Sequence, residues 1–97
     1  MDVMILLEVK VRPDKADALK GVLRDMLVDT RAFDGCVSVA AIQDQDDPGS
    51  VILVQRWASR AHYERYSAWR AETGAANSAT ARLSASYGLR YFDPVNV

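Results

Sequence analysis

The sequence predicts an α+β fold with the element order β-α-β-β-α-β, and three observations predict it. Four stretches rich in β-branched and other apolar residues, about Val3–Arg12, Cys36–Gln43, Val51–Trp57 and Tyr87–Phe92, are bounded by turn-forming residues. Between the first two, apolar residues recur at helical spacing from Lys15 to Phe33. The run Asp44-Gln45-Asp46-Asp47-Pro48-Gly49-Ser50 then separates the second and third strands by a tight connection, which makes them an antiparallel hairpin. Right-handed crossovers place both helices on one face of the sheet, the ferredoxin-like arrangement.

In the first strand Val9 and Val11 alternate with Glu8, Lys10 and Arg12, a pattern of one covered and one wetter face, and Pro13-Asp14 ends it. The first helix carries Leu19, Val22, Leu23, Met26, Leu27 and Phe33 on one side, while Lys15, Asp17, Lys20, Arg24 and Asp25 lie elsewhere. Asp34-Gly35 closes it, because glycine tolerates the positive φ that helix ends and tight turns require. Ser59 is the expected N-cap of the second helix, which runs to Ala71 or Glu72 before Gly74 interrupts. Ala75–Ser86, rich in alanine, predicts a further short helix before the last strand, and Asp93-Pro94 closes that strand.

Ninety-seven residues suit one domain over positions 1–97, and 49% apolar with 26% charged residues is a globular mixture rather than a disordered one. A net charge of −1 without a basic tract excludes nucleic acid as an expected partner. The longest apolar run, Val3–Leu7, is far shorter than the roughly 20 residues a membrane span needs, and Asp2 with no basic leader points to the cytoplasm. Cys36 is the one cysteine, so no internal disulfide forms. It is either a reactive thiol or a small strand residue. No metal set is expected: Asp44, Asp46 and Asp47 lack the later glutamate of a calcium loop and read as turn residues.

The strands carry apolar residues of both parities, Met4 and Leu6 beside Val3, Ile5 and Leu7, and Ile52 and Val54 beside Val51 and Leu53. With helices on one face only, the other would be an apolar surface larger than monomers usually expose. A homodimer packed sheet to sheet is the expectation.

Val9-Lys10-Val11-Arg12-Pro13 leading into a helix, Asp34-Gly35-Cys36, Asp44-Gln45-Asp46-Asp47-Pro48-Gly49 and Gln55-Arg56-Trp57-Ala58-Ser59 stand in the order and spacing of one family. The chain resembles the antibiotic biosynthesis monooxygenase domains, over nearly all its length and at least to Trp69. The resemblance implies a dimeric α+β barrel with an apolar pocket in each subunit. The family includes cofactor-free oxygenases that turn phenols or hydroquinones into quinones, haem-degrading enzymes and an isomerase-like branch, so fold alone selects no reaction.

Within that resemblance, Trp57 and Tyr63 match two pocket residues of the quinone-forming members, and each offers a large apolar body with one polar handle to orient a flat substrate. Leu53 stands where those members carry an asparagine. His62, Tyr66, Trp69 and Thr73 form a helical stripe with Tyr63 beside it, and His62 is a candidate proton acceptor, directly or through Tyr66. Haem-degrading members have an asparagine, a tryptophan and a histidine where this chain has Leu7, Tyr66 and Ala76. Histidines of the isomerase-like and quinol-oxidising relatives fall at Tyr66 and Ala71. Arg82 and Arg90 face either a pocket anion or solvent.

The expectation is therefore a cofactor-independent oxygenase of a small phenolic or polyketide-like aromatic with O2 as co-substrate. Trp57, Tyr63 and His62 would act catalytically, and Tyr66, Trp69 and Leu53 would hold substrate. A non-catalytic ligand-binding dimer and a cofactor-free isomerase are the alternatives.

Overall fold

The computed structural model describes residues 2–73 and 86–97. The helix expected over Ala75–Ser86 falls almost wholly outside them, as does Arg82, and Ser86 opens a strand. The order is β1 (Val3–Lys10), a 3-10 turn (Pro13–Lys15), α1 (Ala16–Ala32), β2 (Cys36–Gln43), β3 (Ser50–Trp57), α2 (Arg60–Thr73) and β4 (Ser86–Phe92). The strands form one antiparallel sheet in the order β2-β3-β1-β4. Each crossover skips one strand: β3 lies between β1 and β2, and β1 lies between β3 and β4. The fold is α+β and ferredoxin-like. No helix among the described residues is long and apolar enough to cross a membrane.

Strand parity decides what faces the helices. In the β1–β3 register Val3 opposes Trp57, Ile5 opposes Gln55, Leu7 opposes Leu53 and Val9 opposes Val51. These odd-numbered residues form the covered face, and Ile5, Val9 and Trp57 are almost wholly enclosed. Helix α1 lays Leu19, Leu23 and Leu27 on one half of it, against Val9, Val39, Val51 and Leu53. Their spacing of four keeps them on one stripe. Helix α2 covers the other half with Tyr63 and Tyr66 against Val3, Ile5 and Trp57. On the opposite sheet face Met4, Leu6, Ile52, Val54 and Phe92 are half-buried and Ile42 is exposed.

β1 ends two residues earlier than its apolar pattern extends, because the Val11 N–H donates to Gly49 O (2.8 Å) in the hairpin connection rather than to a strand. That connection is built by its aspartates: Asp44 Oδ1 accepts from Asp46 N (2.8 Å) and Asp47 N (3.3 Å), and Asp47 Oδ1 accepts from Gly49 N (3.2 Å). Helix α1 stops where Phe33 turns extended. Gly35 follows at φ +92°, and its carbonyl accepts the Ala58 N–H (2.8 Å). A Cβ there would overlap the His62 ring, so both backbone and space call for glycine.

Candidate functional site

Between the sheet and its two helices lies a cavity of about 240 Å³. The sheet contributes Leu7 and Leu53 to its wall, and α1 contributes Leu23 and Met26. Helix α2 contributes Tyr63, Tyr66 and Arg70, which recur at three and four residues and so share one face. The wall is mostly apolar, and its polar groups come mainly from α2.

Tyr63 is 5% exposed. Its ring meets Trp57 edge-on (5.5 Å between centroids, 82°) and Tyr91 likewise (5.9 Å, 82°). Burial, reinforced by the neighbouring Tyr66 and Tyr91 phenols, pushes its pKa up to about 12. At neutral pH the Tyr63 hydroxyl is therefore a donor and not a base.

Behind it lies a hydrogen-bonded group that bridges the helices. Tyr66 Oη stands 2.6 Å from Thr30 Oγ1 and accepts from Arg70 Nε at 2.8 Å. Arg70 Nη2 donates to Met26 O (2.6 Å) and to Thr30 Oγ1 (3.2 Å), and the Thr30 hydroxyl also reaches Met26 O (3.1 Å). Arg70 is 6% exposed and its guanidinium lies against the faces of Trp69 (4.9 Å to the ring centroid) and Tyr66 (5.3 Å). It forms no ion pair with any carboxylate of the described residues. Residues 74–85 contain no aspartate or glutamate.

The residues singled out from sequence do not all meet at the cavity. Tyr63, Tyr66 and Leu53 line the cavity. Trp69 lies beside it, half-buried against Phe33 (5.5 Å) and Tyr66 (6.2 Å). Trp57 stands one layer behind: it is wholly buried and its indole N–H donates to Gln55 Oε1 on its own strand (2.9 Å). That proton is not offered to the cavity. His62 is elsewhere, at the Asp34-Gly35 turn. Its Nδ1 is 2.7 Å from Ser59 Oγ, which also accepts the His62 N–H (3.2 Å), and its Nε2 is 3.8 Å from Asp34 Oδ2. Ser59 is thus the helix cap expected from the sequence, and His62 completes it. Cys36 packs beside the aromatic cluster, where burial pushes its thiol pKa up and Arg31 offsets part of the rise. That disfavours the thiolate a reactive cysteine needs.

Thr30 and Arg70 were not legible as site residues. The signal was weak: at positions three and four from Arg70 stand Tyr66, Ser67, Thr73 and Gly74, so the arginine has no helical acid partner. Among the described residues no three or more His, Cys, Asp or Glu side chains converge as a metal site would require.

Comparisons with known proteins agree with this fold. The model of the family described as antibiotic biosynthesis monooxygenase matches residues 2–72. A Deinococcus radiodurans protein assigned as an antibiotic biosynthesis monooxygenase is 18% identical, with a TM-score of 0.83 over 98% of this chain and 94% of its own. Rv0793 from Mycobacterium tuberculosis is 25% identical, with a TM-score of 0.77 over 100% and 98%. SnoaB from Streptomyces nogalater, described as a cofactor-independent oxygenase, is 15% identical, with a TM-score of 0.79 over 99% and 95%. No curated protein matches the sequence significantly. With the family model spanning well over half of the 97 residues, the chain belongs to the antibiotic biosynthesis monooxygenase family.

Proposed function

We propose that this protein is a cofactor-independent monooxygenase that oxidises a small phenol or hydroquinone with O2 in the cavity between the sheet and its helices. The observation that carries the reading is a mostly apolar cavity with a buried tyrosine, held protonated by its surroundings, on the wall. SnoaB, on the same fold, is described as a cofactor-independent oxygenase, which supports it.

An electron-rich phenolate hands electrons to O2 itself, so the protein has to orient the ring, exclude water and stabilise negative oxygen. In converting a phenol to a quinone, one atom of O2 becomes the new carbonyl oxygen. The other leaves as water with the ring hydrogen and the phenolic hydrogen, so no external reductant is consumed. Tyr63 donates its hydroxyl hydrogen to the oxygen that gains charge. Trp57 acts through Tyr63 by holding its ring edge-on, and Leu53 and Trp69 shape the apolar surroundings. Of the two candidates for moving a proton, Tyr66 stands on the wall with its oxygen 2.6 Å from Thr30 Oγ1, whereas His62 is engaged by Ser59 and Asp34. We assign the relay to Tyr66 and helix capping to His62.

The test is oxygen uptake by the metal-free protein with a panel of hydroquinones and anthrone-like phenols. Uptake without added cofactor that falls roughly a hundredfold in Tyr63→Phe is the expected result. Uptake at the buffer rate across the panel would move the reading to a ligand-binding protein, which Leu53 favours by leaving the β3 part of the wall without a polar group.

We further propose that two copies pack through the outer sheet face, in the cytoplasm. The apolar residues there are contiguous: Leu6 opposes Val54, Val54 opposes Ala40, and Ile52 opposes Ile42. Sedimentation at low micromolar concentration should give twice the 10.7 kDa chain mass, and Leu6→Glu should give the monomer. A monomeric wild type would refute the pairing.

A further inference from the structure

Arg70 has more capacity than the fold uses. Its Nε and Nη2 hydrogens are taken by Tyr66, Thr30 and Met26, all neutral acceptors. Nη1 donates to no atom of the described residues. Arg70 is on the wall of the cavity. A cation placed 94% out of water with only neutral dipoles around it is costly, because desolvation is not offset by a counter-charge. Such a group gains most from an anion that arrives already fitted to the adjoining space. The other titratable groups on the wall are the phenols of Tyr63, Tyr66 and Tyr87, so Arg70 is the one cation among the described lining residues.

We infer that Arg70 is the anion-binding group of this cavity, and that its ligand is a one- or two-ring aromatic carrying an ionised oxygen, phenolate or carboxylate. The ring would lie on Leu7, Leu53 and Met26, with the charged oxygen at Nη1. The size comes from the volume: a cavity of about 150 Å³ holds a benzene ring, and this one measures about 240 Å³. With Nε and Nη2 holding the side chain in place, Nη1 is the donor left for an oxygen anion, and a hydrogen bond between charged partners is roughly twice as strong as a neutral one. The inference deepens the oxygenase reading by naming the charge and size of its substrate, and it rests on that reading only for the chemistry after binding.

The experiment is therefore done under nitrogen, by titrating wild type and Arg70→Gln with 4-nitrophenol, whose phenolate absorbs visible light, and with the neutral isostere 4-nitrotoluene. Bound to the wild type, 4-nitrophenol should ionise about one or more pH units below its value in buffer, because a neighbouring cation favours the phenolate. Arg70→Gln should abolish that shift and weaken nitrophenolate binding about tenfold or more, while 4-nitrotoluene binding stays within about twofold. Benzoate should displace the phenolate, toluene should not, and the tighter of the two anions identifies the group the site takes. An unshifted ionisation in the wild type, the same shift in Arg70→Gln, or anions bound no more tightly than 4-nitrotoluene would overturn the inference. The wild-type comparison of anion with isostere stands even if Arg70→Gln does not fold, and Arg70→Lys should then keep part of the shift. Anion binding without oxygen uptake would sink the oxygenase reading and leave this one intact.

Discussion

Replacing Tyr66 by phenylalanine removes one oxygen atom and keeps the ring. The ring contacts with Phe33 (5.3 Å) and Trp57 (5.1 Å) persist, so the apolar contribution changes little. What disappears is the atom 2.6 Å from Thr30 Oγ1 and 2.8 Å from Arg70 Nε. A neutral hydrogen bond contributes about 1 kcal/mol and one to a charged group about 1.5–3 kcal/mol. Arg70 Nε is then left without its acceptor in a residue 6% exposed, so the two contributions are largely lost together. The expected destabilisation is about 2–4 kcal/mol. Urea denaturation at fixed protein concentration should show it as a lower midpoint with an unchanged slope. At about 4–8 °C per kcal/mol for a chain of this size, the midpoint of thermal unfolding should fall by roughly 8–32 °C. Thr30→Val removes the partner of the same oxygen, so the double variant should lose less than the sum of the singles by about 0.5–3 kcal/mol. A Tyr66→Phe protein within about 0.5 kcal/mol of wild type, or singles that simply add, would refute the bridge between the helices as a source of stability.

The Tyr63 phenol ionises near 10 when unfolded and about 12 when folded, so its contribution is intact below pH 10 and is lost as pH rises towards 12. Two pH units correspond to about 3 kcal/mol, and denaturation of wild type and Tyr63→Phe across this window should show the variant losing less stability. Gly35→Ala meets both the positive φ and the His62 ring and should cost about 1–3 kcal/mol, with partial recovery when His62→Ala is added. Gly21→Ala, on α1 with nothing within 4 Å of the added carbon, should stabilise by about 0.5–1 kcal/mol. Thermal melts of these glycine variants check both signs.

The fold was legible because its boundaries are written in residues with one local meaning. Asp34-Gly35 and the aspartates of 44–50 do in the structure what their chemistry predicts, and the odd positions of β1 and β3 are buried as alternation requires, except Leu7, which is half-buried at the cavity. The irregularity between Cys36 and Ser38 in β2, which leaves Val37 exposed, has no marker in a run of small and β-branched residues. At the site, Tyr63, Tyr66 and Leu53 were recognisable and line the cavity. His62 precedes Tyr63 by one residue, which on a helix is about 100° of rotation, enough to turn it to the Asp34 side. Trp57 has the right parity but sits at the strand end that α2 roofs over, and Gln55, two residues earlier on the same face, takes its N–H. Thr30 and Arg70 escaped notice because a polar residue on an amphipathic helix is assigned to solvent unless a partner 40 residues away is known.

Two helices on one sheet face usually settle side by side, at a separation decided by whichever apolar residues interlock. Here an arginine of α2 reaches the Met26 carbonyl and Thr30 hydroxyl of α1, a connection across 44 residues of sequence to Met26. The side chain joins the two helices where the cavity lies, and it lines that cavity as well. One side chain thus belongs to the scaffold and to the cavity wall at once, so a substitution at position 70 is felt in stability and in the charge of the cavity together.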